Sequence, residues 1–129
     1  HYNAGATSPD ATSGHPGGGH YSWYFWPMVN LYSGTMGRPL CFTELGYLSG
    51  EGYGPLPGGF GWASGTSVAE QADWLARAVQ LSRSSGRVQM VIVYNVDFTS
   101  WGEDPQAGYA IIRPGGGCPA CETLRDVMN

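Results

Sequence analysis

The stretch from Arg38 to Val96 constrains the chain most, because it places a well-capped helix between two apolar runs. Ser67-Val68-Ala69-Glu70 is a capping box, in which the Ser and Glu side chains satisfy amide donors that the first helical turn leaves open. Ala72, Leu75, Ala76, Val79 and Leu81 then recur on one face, and Ser84-Ser85-Gly86 closes the helix. After it, Arg87 to Val96 (RVQMVIVYNV) is rich in β-branched residues and reads as a strand. Before it, residues 39–44 form a short apolar run introduced by Gly37 and stopped by Gly46. Such a run suits a strand buried on both faces. Strand, helix and strand in succession imply a right-handed crossover and a parallel sheet.

The flanking segments extend this pattern. His1 to Gly5 reads as the end of a strand, and Ala6 to Gly19 as a loop with Pro9, Pro16 and three consecutive glycines. Residues 20–36 are dense in aromatics, with apolar positions at 21, 24, 25, 28, 29 and 32 at helical spacing. Pro27 should shift or kink the first turn. Core packing accounts for these aromatics better than a sugar-stacking platform does. Leu45 to Thr66 is a long Gly/Pro-rich loop carrying Tyr47, Tyr53, Phe60 and Trp62, and loops of that length usually carry function or are disordered. Residues 97–110 form another loop, and residues 118–128 a final short helix. Cys118-Pro119-Ala120-Cys121 is a single CxxC at that helix start. It reads as a local structural pair, disulfide or free thiols, ahead of metal or redox chemistry.

Composition narrows the function classes. The chain has 129 residues, enough for one domain and too few for two. Its net charge is -4, with six arginines and no lysine. No basic patch marks it for nucleic acid. No apolar run approaches the ~20 residues of a membrane span, and no secretory signal is read in it. Cysteine usage leaves the compartment open, while the Gly/Tyr/Trp-rich composition leans toward an extracellular setting.

Polar and aromatic residues gather after each strand: Tyr2 and Asn3, then Glu44 and Tyr47, then Asn95, Asp97 and Trp101. In β/α folds the loops after strand C-termini build the active site. Glu44, a carboxylate at the end of an apolar strand, faces a desolvation cost that a structural ion pair or a catalytic role would each explain. Asp97 reads as a loop-capping residue or a second acid, and Glu103-Asp104-Pro105 as a turn.

These residues also carry a resemblance. A terminal His-Tyr, a strand ending FTELGY and a strand ending VYNVDFTSW followed by GEDPQAGYAIIRP resemble the C-terminal portion of (β/α)8-barrel glycoside hydrolases of the cellulase-like superfamily. The match covers essentially the whole chain and about the last three β/α units of that barrel. The resemblance implies a partial TIM barrel in a single domain, with Glu44 as the nucleophile of a retaining β-glycosidase. Tyr2, with neighbouring His1, would orient Glu44. Trp62, Tyr47 and Trp101 would stack on sugar rings, and Asn95 would hydrogen-bond a hydroxyl. Tyr94 stands where the family's strand-end Trp is usual. No metal or organic cofactor is implied, and the extracellular reading gains support.

The family's general acid/base, a Glu after the fourth strand, has no counterpart here, nor do the first five strands. A retaining glycosidase needs two carboxyl groups about 5–5.5 Å apart. Glu51, Asp97, Glu103 and Asp104 are the loop acids on offer, with Asp97 nearest the last strand end. Few parallel strands cannot close a barrel. Three solutions are open: the chain is a fragment of a longer protein, it pairs with another chain that supplies the missing strands, or it self-associates; an assembly of some kind is expected over a free monomer. Two function classes stand side by side: a glycoside hydrolase acting on β-linked glucosides or related plant polysaccharide fragments, and a non-catalytic carbohydrate-binding or structural remnant lacking its acid.

Overall fold

A computed structural model describes residues 2–129. His1, expected beside the nucleophile, lies outside the described residues. The strands are β1 (Tyr2–Ala4), β2 (Leu40–Tyr47) and β3 (Val88–Val93), and the helices α1 (Phe25–Met36), α2 (Val68–Ser85) and α3 (Pro119–Met128). The protein is α/β, with one open sheet in the order β1-β2-β3 and both pairings parallel.

The helices form where their ends are satisfied. Ser67 and Glu70 make the expected reciprocal capping box of α2, and Gly86 ends that helix in the left-handed conformation (φ 62°). Pro27 lies in the first turn of α1, where a missing amide proton costs no helical hydrogen bond. It therefore marks the helix start and does not break the helix; the preceding residues 21–23 form a short 3-10 turn. Phe25, Met28 and Val29 are buried as their spacing predicts, whereas Tyr32 is largely exposed. Cys118 and Cys121 are joined in a disulfide at the start of α3.

One core cluster joins all three helices to the sheet. Phe25, Met28 and Val29 of α1, Leu75 and Ala78 of α2, and Ala120 and Leu124 of α3 enclose Tyr2, Ala4, Phe42, Leu45 and Tyr47. Burying each large apolar side chain is worth roughly 1.5–3 kcal/mol. The helices thus cover one face. On the other, Cys41 pairs in register with Met90. Cys41 is exposed, and Met90 and Ile92 remain 44% and 48% exposed. A strand expected to be buried on both faces is buried on one.

Strand β2 runs past Glu44 and does not stop at Gly46. Gly46 is a strand residue opposite Asn3. A Cβ there would come 2.0 Å from the Tyr94 carbonyl oxygen, so glycine is required by the approach of the chain leaving β3. Between Phe42 and Leu45 the register slips by one residue against Val91 and Val93. This bulge lets Phe42 and Leu45, three positions apart, both face the helices, and it re-aims the residues between them.

The loops at the C-terminal rim are tied by buried polar groups. Gln71 of α2 donates from its amide to the carbonyls of Tyr47 (2.7 Å) and Gly108 (2.9 Å). Arg113 donates to the carbonyls of Gly108, Ala110, Ser49 and Glu51 at 2.7–3.2 Å. Burial pushes the Arg113 guanidinium's pKa down, while Tyr53 and Glu51 oppose the shift.

Gly46→Ala is expected to destabilise the fold by about 1–3 kcal/mol or more, because the obstructing atom is backbone. Gly34 sits in α1 with open space around it, so Gly34→Ala should stabilise by roughly 0.5–1 kcal/mol. Urea denaturation of both variants checks this; equal midpoints would contradict the close approach at Gly46.

Candidate active site

Alternation along β1 decides which residue reaches Glu44. Tyr2 pairs with Leu45 and points with it into the core, whereas Asn3 pairs with Gly46 and points to the open face. Asn3 Nδ2 donates to Glu44 Oε2 at 3.2 Å. The hydrogen bond expected from Tyr2 therefore comes from Asn3. The Tyr2 hydroxyl, in a side chain 1% exposed, donates to the Trp23 carbonyl (3.5 Å) and accepts from the Tyr47 hydroxyl (3.4 Å). Burial pushes its pKa up to about 12, with the Tyr47 bond opposing.

Tyr47 is likewise a core residue. Its ring packs edge-on against Tyr2 (5.6 Å) and Trp74 (5.5 Å), and burial raises its pKa well above the ordinary value. It is not placed to stack on a sugar. Asn95 is 5% exposed; its Nδ2 donates to the Gln106 carbonyl (2.8 Å) and its Oδ1 accepts from the Phe98 amide (3.1 Å). Both ends of that amide hold the loop after β3 in shape, and burial keeps the side chain from a sugar hydroxyl.

The aromatic side chains at the rim form two groups. Trp62 is half-buried beside Gly5, with Trp23 at 5.1 Å, His15 at 5.5 Å and Phe60 at 6.2 Å. His15 stacks on Trp23 at 4.0 Å; burial lowers its pKa and the Gly5 carbonyl opposes the shift. The Gly-rich stretch before α1 is ordered by Tyr24, whose hydroxyl accepts from the His15 amide and donates to the Gly18 carbonyl. In the second group Trp101 stacks on Tyr53 at 4.8 Å, and the Arg113 guanidinium lies 4.9 Å from the Tyr53 ring centre. Arg113 thereby links Trp101 to the loop after β2 through Tyr53.

Tyr94, just past β3, links Glu44 to the loop acids. Its hydroxyl donates to Gln106 Oε1 at 2.6 Å, and Gln106 Nε2 donates to Asp104 Oδ1 at 2.6 Å. Burial raises the Tyr94 pKa, and the charges of Glu44 and Asp104 raise it further. Glu51 accepts the Val68 amide (2.6 Å) at the start of α2, and Glu103 is exposed. Asp97, also exposed, lines a hollow of about 450 Å³ with Tyr53, Phe98 and Arg113.

The open face at the rim thus combines Glu44, Asn3 and Tyr94. Asn3 was legible as the residue next to Tyr2, since strand alternation sends neighbours to opposite faces. Gln106 carried no comparable sequence signal. Among the described residues no group of three His, Cys, Asp or Glu side chains is placed to hold a metal ion. No described helix is long and apolar enough to cross a membrane.

Removing the Glu44 charge should lower the Tyr94 pKa, because a neighbouring carboxylate disfavours the phenolate. Carbon-13 NMR titration of ring-labelled tyrosine should show the Tyr94 midpoint falling toward its ordinary value in Glu44→Gln and in Asp104→Asn. Unchanged midpoints in both variants would contradict this electrostatic arrangement.

No family model, curated protein or solved structure matches the chain.

Proposed function

We propose that the chain is the nucleophile-bearing portion of a retaining β-glycosidase, built as the last three units of a (β/α)8 barrel. The observation that carries the reading is the Asn3–Glu44 hydrogen bond on the uncovered face of a parallel sheet, at its C-terminal rim. Rims of this kind hold the active sites of β/α folds. The half-buried Trp62 and Trp101 on the surrounding loops supply apolar faces for sugar rings. Asn3, half-buried on that face, holds the Glu44 carboxylate through its Nδ2.

The chemistry assigned to Glu44 balances without a cofactor. Its carboxylate attacks the anomeric carbon, the bond to the leaving oxygen breaks, and a glycosyl ester forms. Water then cleaves the ester, returning the carboxylate and releasing the sugar and a proton. A poor leaving group needs a proton from a second carboxyl group. Completion of the barrel by a second copy or another chain would bring that acid and cover the open sheet face. Asp97 is the nearest loop acid in sequence to the end of β3.

The engaged positions of Glu51 and Asp104 favour one alternative, a carbohydrate-binding remnant without turnover. A substrate whose leaving group needs no acid separates the two readings. Incubation with 2-deoxy-2-fluoro-β-glucosyl fluoride should add one fluoroglucosyl unit to Glu44, read by peptide mass spectrometry, and Glu44→Gln should remain unlabelled. Cellobiose binding by calorimetry without labelling would assign the chain to the binding remnant. Neither labelling nor binding would remove the carbohydrate reading.

A further inference from the structure

The Cys118–Cys121 disulfide joins residues three apart in sequence, at the start of α3. A cross-link between such near neighbours takes little freedom from the unfolded chain. Other contacts hold α3 without it. Ala120 and Leu124 are 2% and 8% exposed within the core. Thr123 Oγ1 donates to the Ala72 carbonyl of α2 at 2.9 Å. The bond therefore adds little that the fold needs.

The two sulfurs differ in their surroundings. Cys118 is half-buried against the core, whereas Cys121 is exposed. Cys118 is also the N-cap of α3, and its side chain caps no amide. Its sulfur is held in the S–S bond instead. A thiolate at that position would accept hydrogen bonds from first-turn amides and face the positive end of the helix dipole. Breaking the bond thus offers α3 the cap that it lacks. Glu122, in the same turn, opposes a negative charge there, but it is exposed and screened by water and salt.

We propose that Cys118 and Cys121 form a redox-active pair that exchanges with small thiols of the glutathione class while the fold stays intact. A glutathione thiolate attacks Cys121 Sγ, the sulfur open to solvent. The S–S bond breaks, and Cys118 leaves as a thiolate at the N-cap. A second glutathione thiolate then attacks the glutathione sulfur of the mixed disulfide. Oxidised glutathione departs, and Cys121 is left as a thiolate. The two protons given up by glutathione pass to the two cysteines. Two thiols have been oxidised to one disulfide, and the protein disulfide has been reduced to a dithiol. Excess oxidised glutathione drives the same steps backward. The exchange uses no group at the Glu44 rim, so it stands whether or not the chain acts on sugars.

The test equilibrates the full chain in buffers of reduced and oxidised glutathione. Samples are quenched in acid and mapped by peptide mass spectrometry, which keeps the free Cys41 separate. The reduced fraction should rise from a tenth to nine tenths over roughly a hundredfold increase in the squared reduced-to-oxidised glutathione ratio. It should fall again when the ratio is reversed. The amide NMR spectrum of the reduced chain should keep its dispersion. Mixed disulfide caught early in reduction should sit on Cys121. A bond that resists reduced glutathione until denaturant is added would overturn the proposal. So would reduction that collapses the amide spectrum, since the bond would then hold the fold. Glutathione found on Cys118 would reverse the two roles and overturn the assigned path.

Discussion

Where the chain leaves β3, the Tyr94 carbonyl approaches β2 so closely that position 46 has no room for a side chain. Several features follow from this contact. Gly46 and Asn3 share the open face, so Asn3 has a clear path to Glu44. The Leu45 carbonyl accepts the Tyr94 amide at 2.8 Å, which brings Tyr94 to the rim beside Glu44. The bulge between Phe42 and Leu45 lets the core keep both of those side chains while Glu44 turns away from it. A regular strand with Phe42 inward would send Glu44 inward as well, where an ionised carboxylate costs far more than it returns unless paired.

The polar ties at the rim hold the loops in place. Gln71 fastens the end of β2 and the loop after β3 to α2 through two carbonyls. Arg113 fastens the loop after β2 to the same region and lies over Tyr53, which stacks on Trp101. Buried donors that find partners, as the Gln71 amide and the two terminal Arg113 nitrogens do, rigidify a site, while Arg113 Nε has no partner among the described residues. Of the aromatic faces on which a carbohydrate reading depends, Trp101 is joined to this frame through Tyr53. The opposite, helix-packed side of the sheet is filled by the core cluster, while the open face is bare.

Much of this was readable from residue order. The capping box at Ser67, the glycine after α2, and the alternation of strand and helix foretold the parallel β2–β3 pair. Glu44 stands out in the sequence because an acid ending an apolar run is costly. Tyr2 and Tyr47 were misassigned for a common reason. Tyrosine has an apolar ring and a polar tip, and sequence position does not say which one the fold uses. Here both rings fill the core and the two hydroxyls bond each other. The bulge was invisible because period-two reasoning assumes an unbroken register, and it moved the end of β2 from residue 44 to Tyr47. Asn95 looked like a ligand group because amides serve both purposes; its loop contacts are non-local and leave no local pattern.

The central claim is that the uncovered rim beside Glu44 receives a sugar. A crystal structure of the chain grown with cellobiose tests it most directly. The account predicts a glucosyl ring at the rim, with its anomeric carbon facing the Glu44 carboxylate. A well-ordered disaccharide bound away from β1 and β2, or a Glu44 side chain turned into the helix-packed core, would contradict it.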